Sequence, residues 1–182
     1  MTTQAMEDVL TFWFTTLSSS DWYKKSEELD RRITDQFETT LKQVVAGETS
    51  DWRDKPEGRL AEIIVLDQFS RNMYRDTPAA FESDPLALAL AQEAVRCGAD
   101  RVLEDTRRAF LYMPFMHSES REIHEIALYL FDQPGLENNY NFEVKHKEII
   151  DRFGRYPHRN EILGRESSAE ELEFLTQAGS SF

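Results

Sequence analysis

The sequence predicts an all-α protein of about eight helices. Apolar residues recur at steps of three and four through most of the chain, the signature of one helix face turned inward. Only seven Gly and six Pro are present, and they fall mostly where those stripes stop, so turns are sparse and elements long. No stretch alternates apolar and polar residues as a strand would, and no repeat of fixed period or low-complexity run is visible. At 182 residues the chain can bury a proper core. It reads as a single domain, 1–182, with a frayed tail over Gly179–Phe182.

Hydrophobic content of 40% and aromatic content of 12% argue against disorder. A net charge of −13 speaks against nucleic acid and against an anionic membrane surface as partners. The single cysteine, Cys97, allows no internal disulfide and suits a reducing compartment. The first ten residues carry no basic leader segment, so a cytoplasmic location is expected.

Taken in order, Thr3 can cap a first helix to about Leu17, with Val9, Leu10, Trp13 and Leu17 on one face. Ser26 precedes a second, with Leu29, Ile33, Phe37, Leu41 and Val44 inward and Gly47 as its stop. Asp54 to Glu57 has the form of a capping box with an early proline, opening a third helix to about Met73. Leu60, Ile63, Ile64, Val65, Leu66 and Phe69 surround that helix, which marks it as central. Asp84-Pro85 starts a fourth, with Leu86, Leu90, Ala94 and Val95 inward and Gly98 closing it. A fifth begins near Asp105 and should end near Met113, because Pro114 cannot continue it. A sixth, capped near Ser118, carries the stripe Ile123, Ile126, Ala127, Leu130 and Phe131 and stops at Pro134-Gly135. Ser168 with Glu171 forms a capping box for a last helix to about Gln177.

Between these lies Phe142–Arg165. Phe142, His146, Ile149, Ile150 and Phe153 share one face of a seventh helix, Gly154 suits its left-handed end, and Tyr156-Pro157 turns the chain into a short further helix closed by Gly164. Lys145–Arg165 holds six Lys/Arg against three acids, net +3, so the rest of the chain carries −16. Such a patch focuses small anions rather than nucleic acid. The pairs Glu148–Arg152, Lys147–Asp151 and Asp151–Arg155 are equally consistent with an ordinary solvated helix face.

Ionisable residues recur on apolar faces: Asp67 with Arg71 at i,i+4, Glu119 beside His117, and His146. Burial of such groups costs free energy unless they are paired, and proteins tend to tolerate that cost at sites. A pocket of this kind can bind a small anion through Arg71 and move a proton through His117 or His146. Glu143-x-x-His146 has the spacing of di-iron bundles, but only one copy is present. No His-Glu-x-x-His, paired CxxC, calcium loop, Gly-rich phosphate loop or G-x-S-x-G occurs, so no metal or cofactor is expected. His124, at the edge of its stripe, reads as a boundary residue.

Asp67–Arg75 (DQFSRNMYR), Asp84–Leu90 (DPLALAL), Tyr112–Glu119 (YMPFMHSE) and His146–Arg165 (HKEIIDRFGRYPHRNEILGR) together resemble family 924 of the domains of unknown function, a largely bacterial family. The resemblance runs from the first helix to Glu171-Leu172 and implies a tetratricopeptide-like array of antiparallel helix hairpins, without the tetratricopeptide sequence pattern itself. It implies no reaction and no catalytic residues. Its motif positions include Asp67, Arg71, His117, Glu119, His146, Arg152 and Arg155, and they add Arg75, His158, Arg159 and Asn160. Ser70 stands where the pattern often has proline, Asp76 where it has glycine and Tyr156 where it has phenylalanine.

The expected activity is therefore binding of a small anionic molecule or an acidic peptide end, with arginines holding charge and carboxylates and histidines fixing orientation. A rival reading is an enzyme with His117 or His146 as general base, oriented by Glu119 or Asp67. A third makes the inward charges structural and places protein–protein contact on an outer face. An exposed aromatic cluster around Phe12-Trp13-Phe14 would favour a homodimer, and the same residues facing the core would not.

Overall fold

The structure, a computed structural model, describes residues 3–181, and for Thr3 the backbone alone. The side-chain cap assigned to Thr3 and the last tail residue, Phe182, therefore lie outside it. The chain is all-α, with eight helices and no strand among the described residues. Helix α1 spans Thr3–Thr11 and passes into a π-helical turn, Phe12–Thr16. Helix α2 is Glu27–Val45. Helix α3 runs as Pro56–Ile63, widens to a π-helix over Ile64–Phe69 and ends as Ser70–Met73. Next come α4 (Asp84–Arg96), α5 (Asp105–Met116), α6 (Arg121–Phe131), α7 (Glu137–Phe153) and α8 (Ala169–Leu175). No helix is long and apolar enough to cross a membrane.

The helices divide into two compact units. The first reaches to Arg75 and resumes over Ala79–Pro114; the second takes Asp76–Pro78 and the chain from Phe115 onward.

In the first unit α3 is the buried centre: Leu60, Ala61, Ile63, Ile64, Val65, Leu66 and Phe69 are wholly inaccessible. The rings of Phe12, Phe37 and Phe69 meet at 4.7–6.1 Å between centroids. Phe12 and Phe69 both come from π-helical turns, whose extra residue re-aims the side chains around it. Ser26 caps α2 by accepting from the Leu29 N–H. The capping box expected at Asp54 does not form. Asp54 ends a 3-10 turn, Ser50–Asp54, which leaves Lys55 at the cap position with Pro56 behind it. The chain is so tight there that a Cβ on Gly58 would stand 2.0 Å from the Trp52 carbonyl oxygen. On α4 the buried face is Ala87, Ala91 and Ala94; Leu86 and Leu90 are only half-buried, because the alanine face lets α4 lie close on α3.

Helix α5 does not stop before Pro114 but continues to Met116. The proline falls in the last turn, where it forfeits one backbone bond, and burial of Phe115 and Met116 beyond it offsets that loss. Ser120, not Ser118, sits at the cap of α6. The buried face of α6 is His124, Ala127, Leu130 and Phe131, while Ile126 is 43% exposed and Ile123 half-buried. Helices α6 and α7 pack on each other across a short connection, as an antiparallel hairpin. Helix α7 starts before Phe142, which is itself exposed, and buries Glu143, His146, Ile149 and Ile150. Gly154, at φ 71°, ends it. Beyond Tyr156 the chain forms only a 3-10 turn, Pro157–Arg159, in place of the expected short helix. The Ser168–Glu171 capping box opens α8 as read. In the tail, Ser180 is buried and donates to the Leu175 carbonyl at 3.2 Å.

Two of the departures from the family pattern have visible consequences. The Ser70 hydroxyl donates to the Leu66 carbonyl one turn back, where a proline would have no donor at all. Asp76 takes the left-handed conformation, φ 61°, that glycine adopts without strain.

Candidate functional site

The expected site residues fall in both units. In the first, Asp67 is 1% exposed and Arg71 reaches it at 3.2 Å. The same guanidinium clamps Asp84 with two bonds, 2.8 and 2.9 Å, and donates to the Asp67 carbonyl. Gln68 adds a 2.5 Å bond to Asp67. Arg75 clamps Asp30 at 2.6 and 2.7 Å, and Asn72 donates to the same carboxylate. Burial pushes the Asp30 carboxyl up, but Arg75 and Asn72 outweigh it and hold it below its usual range. The sequence reading passed over Glu62, a wholly buried α3 carboxylate bound by Arg53 and by the Thr49 hydroxyl.

The second unit is organised around Tyr156, which Pro157 holds extended and which is 1% exposed. Its ring has His124 at 6.2 Å, His146 at 5.8 Å and His158 at 5.5 Å between centroids, and the Arg159 guanidinium 4.7 Å from its centre. The fourth histidine of the chain, His117, is near enough to act electrostatically on His146 and His158.

His117 stands on a bend whose three successive carbonyls are each held by a different side chain. The Tyr156 hydroxyl donates to Met116 O at 2.6 Å and Arg159 to His117 O at 3.0 Å; His124 Nε2 lies 2.8 Å from Ser118 O. Glu119 continues the clamp, accepting from the Tyr156 N–H at 2.7 Å and from Arg165 at 2.6 and 2.9 Å. Arg165 also donates to the Tyr156 carbonyl. Against the upward push of burial, Arg165 and the Tyr156 N–H hold the Glu119 carboxyl below its usual range.

His146 Nδ1 lies 2.7 Å from the Phe142 carbonyl, which can only accept, so Nδ1 carries the proton and Nε2 presents a lone pair. Burial drives His146 down to about 3, helped by the other three imidazoles and opposed by the Phe142 carbonyl. Burial and then Arg159 drive His158 down to about 4, while Glu119 pulls the other way.

The remaining expected residues make joints with α8 or within the connecting loop. Arg152 pairs with Glu170 at 2.7 Å on the surface, and its guanidinium lies over Phe153. Arg155 clamps Glu171 at 2.7 and 2.8 Å, which lowers that carboxyl to about 2. Asn160 is buried, donating to Ser167 and accepting from Arg165.

Tyr156 and Arg165 were not among the expected residues, and neither were His124 and Glu143. His124, expected at a boundary, is fully buried and bonded at 2.6 Å to Glu143, which is fully buried too. Spacing alone left it open: His124 stands at helical steps from Ala127 and Phe131 of the expected stripe, but Ile123 and Ile126 keep helical steps with Leu130 equally. Glu143 faces His124 across the hairpin, not a metal partner on its own helix. Among the described residues no group of three His, Cys, Asp or Glu is placed to hold a metal ion.

Fold and site thus define an all-helical domain whose polar groups are sorted into arginine clamps and one imidazole cluster. The chain belongs to the family described as bacterial protein of unknown function (DUF924), whose model matches residues 9–179. It is similar to the protein of unknown function ATU0120 from Agrobacterium tumefaciens, at 34% identity and a TM-score of 0.90, over 94% of this chain and 97% of that one. No curated protein matches the chain.

Proposed function

We propose that this is a cytoplasmic binding domain that takes a small carboxylate- or phosphate-bearing anion, or an acidic peptide end, beside His117. The observation that carries the reading is the sign of the potential around His158 and His146. Beyond burial, Arg159 opposes a further positive charge at His158, Glu119 favours one, and His117 and Arg165 add smaller opposition, while three imidazoles oppose one at His146. The guanidinium of Arg159, which opposes a further positive charge there, is the part of that environment that favours an anion. The clamped bend from Met116 to Glu119 supplies the rigidity that a binding group needs. An imidazole held at about 3 is a weak base at neutral pH, which favours hydrogen bonding over general-base catalysis for His146. The antiparallel pair α6–α7 supports reading the helices as a tetratricopeptide-like array.

A titration with inorganic phosphate and with citrate, followed by calorimetry, tests this. The wild type should bind one of them at neutral pH. His117→Ala should lose most of the heat. Equal binding by His117→Ala, or no wild-type binding of either anion at millimolar concentration, rejects the reading.

A further inference from the structure

The buried pair that the binding reading does not use lies directly behind its loop. We propose that His124 and Glu143 are positioning residues for His117: Glu143 anchors the His124 ring through Nδ1, and His124 thereby holds the Ser118 carbonyl and the imidazole next to it. This rests on His117 being the centre of the site.

Both side chains are wholly inaccessible, so neither can meet a ligand. The Ser118 carbonyl, 2.8 Å from His124 Nε2, is an acceptor only, so Nε2 must carry a hydrogen. The Tyr156 oxygen, 3.3 Å away, already donates its hydrogen to Met116 O and faces Nε2 as an acceptor as well. On the other side Nδ1 lies 2.6 Å from Glu143 Oε1, and one proton occupies that line whichever atom bears it. Without the carboxyl, Nδ1 loses its partner at 2.6 Å, and the ring, held through Nε2 alone, can swing off the Ser118 carbonyl. The other two carbonyls of the bend have their own donors in Tyr156 and Arg159, so His124 is the third support. Glu143 uses one oxygen only, since Oε2 makes no hydrogen bond among the described residues. A glutamine can therefore replace it, its amide N–H donating to Nδ1 and preserving the Nε2–H form.

Proton–nitrogen NMR of the four histidine rings in the full-length protein tests this without any ligand. The wild type should show His124 protonated at Nε2. Glu143→Gln should keep both that pattern and the ring shifts and titration midpoint of His117. Glu143→Ala should move the His117 midpoint by about 0.5 pH unit or more, the size of an ordinary change in environment. Should Glu143→Ala fail to fold, Glu143→Asp serves instead, because losing one methylene draws the oxygen off Nδ1. A purely structural pair would lower stability in these variants and leave the His117 signals where they were. That result, or a wild-type His124 protonated at Nδ1 alone, overturns the proposal. The phosphate titration can fail while this result stands, and the reverse holds too.

Discussion

On α3 of the first unit, Glu62 is bound by Arg53 and Asp67 by Arg71, and each guanidinium keeps 20–30% of its side chain exposed. On α7 of the second unit, Glu143 meets an imidazole that has no exposure at all, and His146 lies one turn further on. A long arginine can bring its charge to a buried carboxylate while part of it stays in water, so the ion pair survives burial. An imidazole has no such reach. It enters the interior whole and sheds charge to do so, which makes the second unit the acid-sensitive one.

The largest test of that contrast is acid. The folded midpoints of His146 and His158 are depressed to about 3 and about 4 from 6.5. Below pH 6.5 the unfolded chain therefore binds more protons than the folded one, and stability falls as pH falls until those folded values are reached. Each group contributes about 1.4 kcal/mol per pH unit at most, so about 4 kcal/mol should be lost between pH 6.5 and 4.5. Glu143, raised by burial, works in the opposite sense and trims the slope. Asp30, held low by Arg75 and Asn72 against burial, loses its contribution only at lower pH. Hydrogen exchange should show protection failing first over residues 115–181, and His146→Gln should flatten the curve by nearly half. A flat profile over that window would remove the contrast.

A smaller effect probes the first unit. Arg71→Ala removes the guanidinium that Asp67 and Asp84 share and should cost about 3–5 kcal/mol in urea unfolding at neutral pH. Asp67→Ala leaves Arg71 clamped on Asp84 and should cost about 1–2 kcal/mol. If the two losses are equal, Asp84 contributes nothing and the clamp is not a unit. The smallest effect belongs to Asp76. Replacing it with glycine relieves the left-handed φ of 61° and should raise stability by up to about 1 kcal/mol, read as a higher melting temperature. A lower midpoint would mean that the carboxylate holds the turn more than the backbone strains it.

Some of the buried polar groups were legible because their charges were conspicuous on apolar faces. Asp67 and His146 could be chosen from spacing alone, and both are buried polar groups in the fold, with the half-buried Arg71 reaching Asp67. His124 was not legible, because Ile123 and Ile126 offered an equally regular stripe one residue away and a single helix cannot say which of two stripes faces inward. Glu143 was visible only as half of a metal-like spacing; its real partner lies 19 residues back, on α6.

The sequence by itself determined where helices exist and where several stop. Gly47, Gly98 and Gly154 lie at left-handed backbone positions beside helix ends, and Ser26 and Ser168 bond to the amides three residues on. Those constraints act within one turn of chain, so they survive in a string of letters. Only the tertiary structure decided that Ala87 and Ala91, rather than Leu86 and Leu90, join Ala94 on the inward face of α4, that α5 continues past its proline, and which carboxylate each arginine takes. Asp84 is 13 residues from Arg71, and Asp30 is 45 from Arg75. Such choices depend on which surfaces the packed helices bring together, and no local preference encodes that.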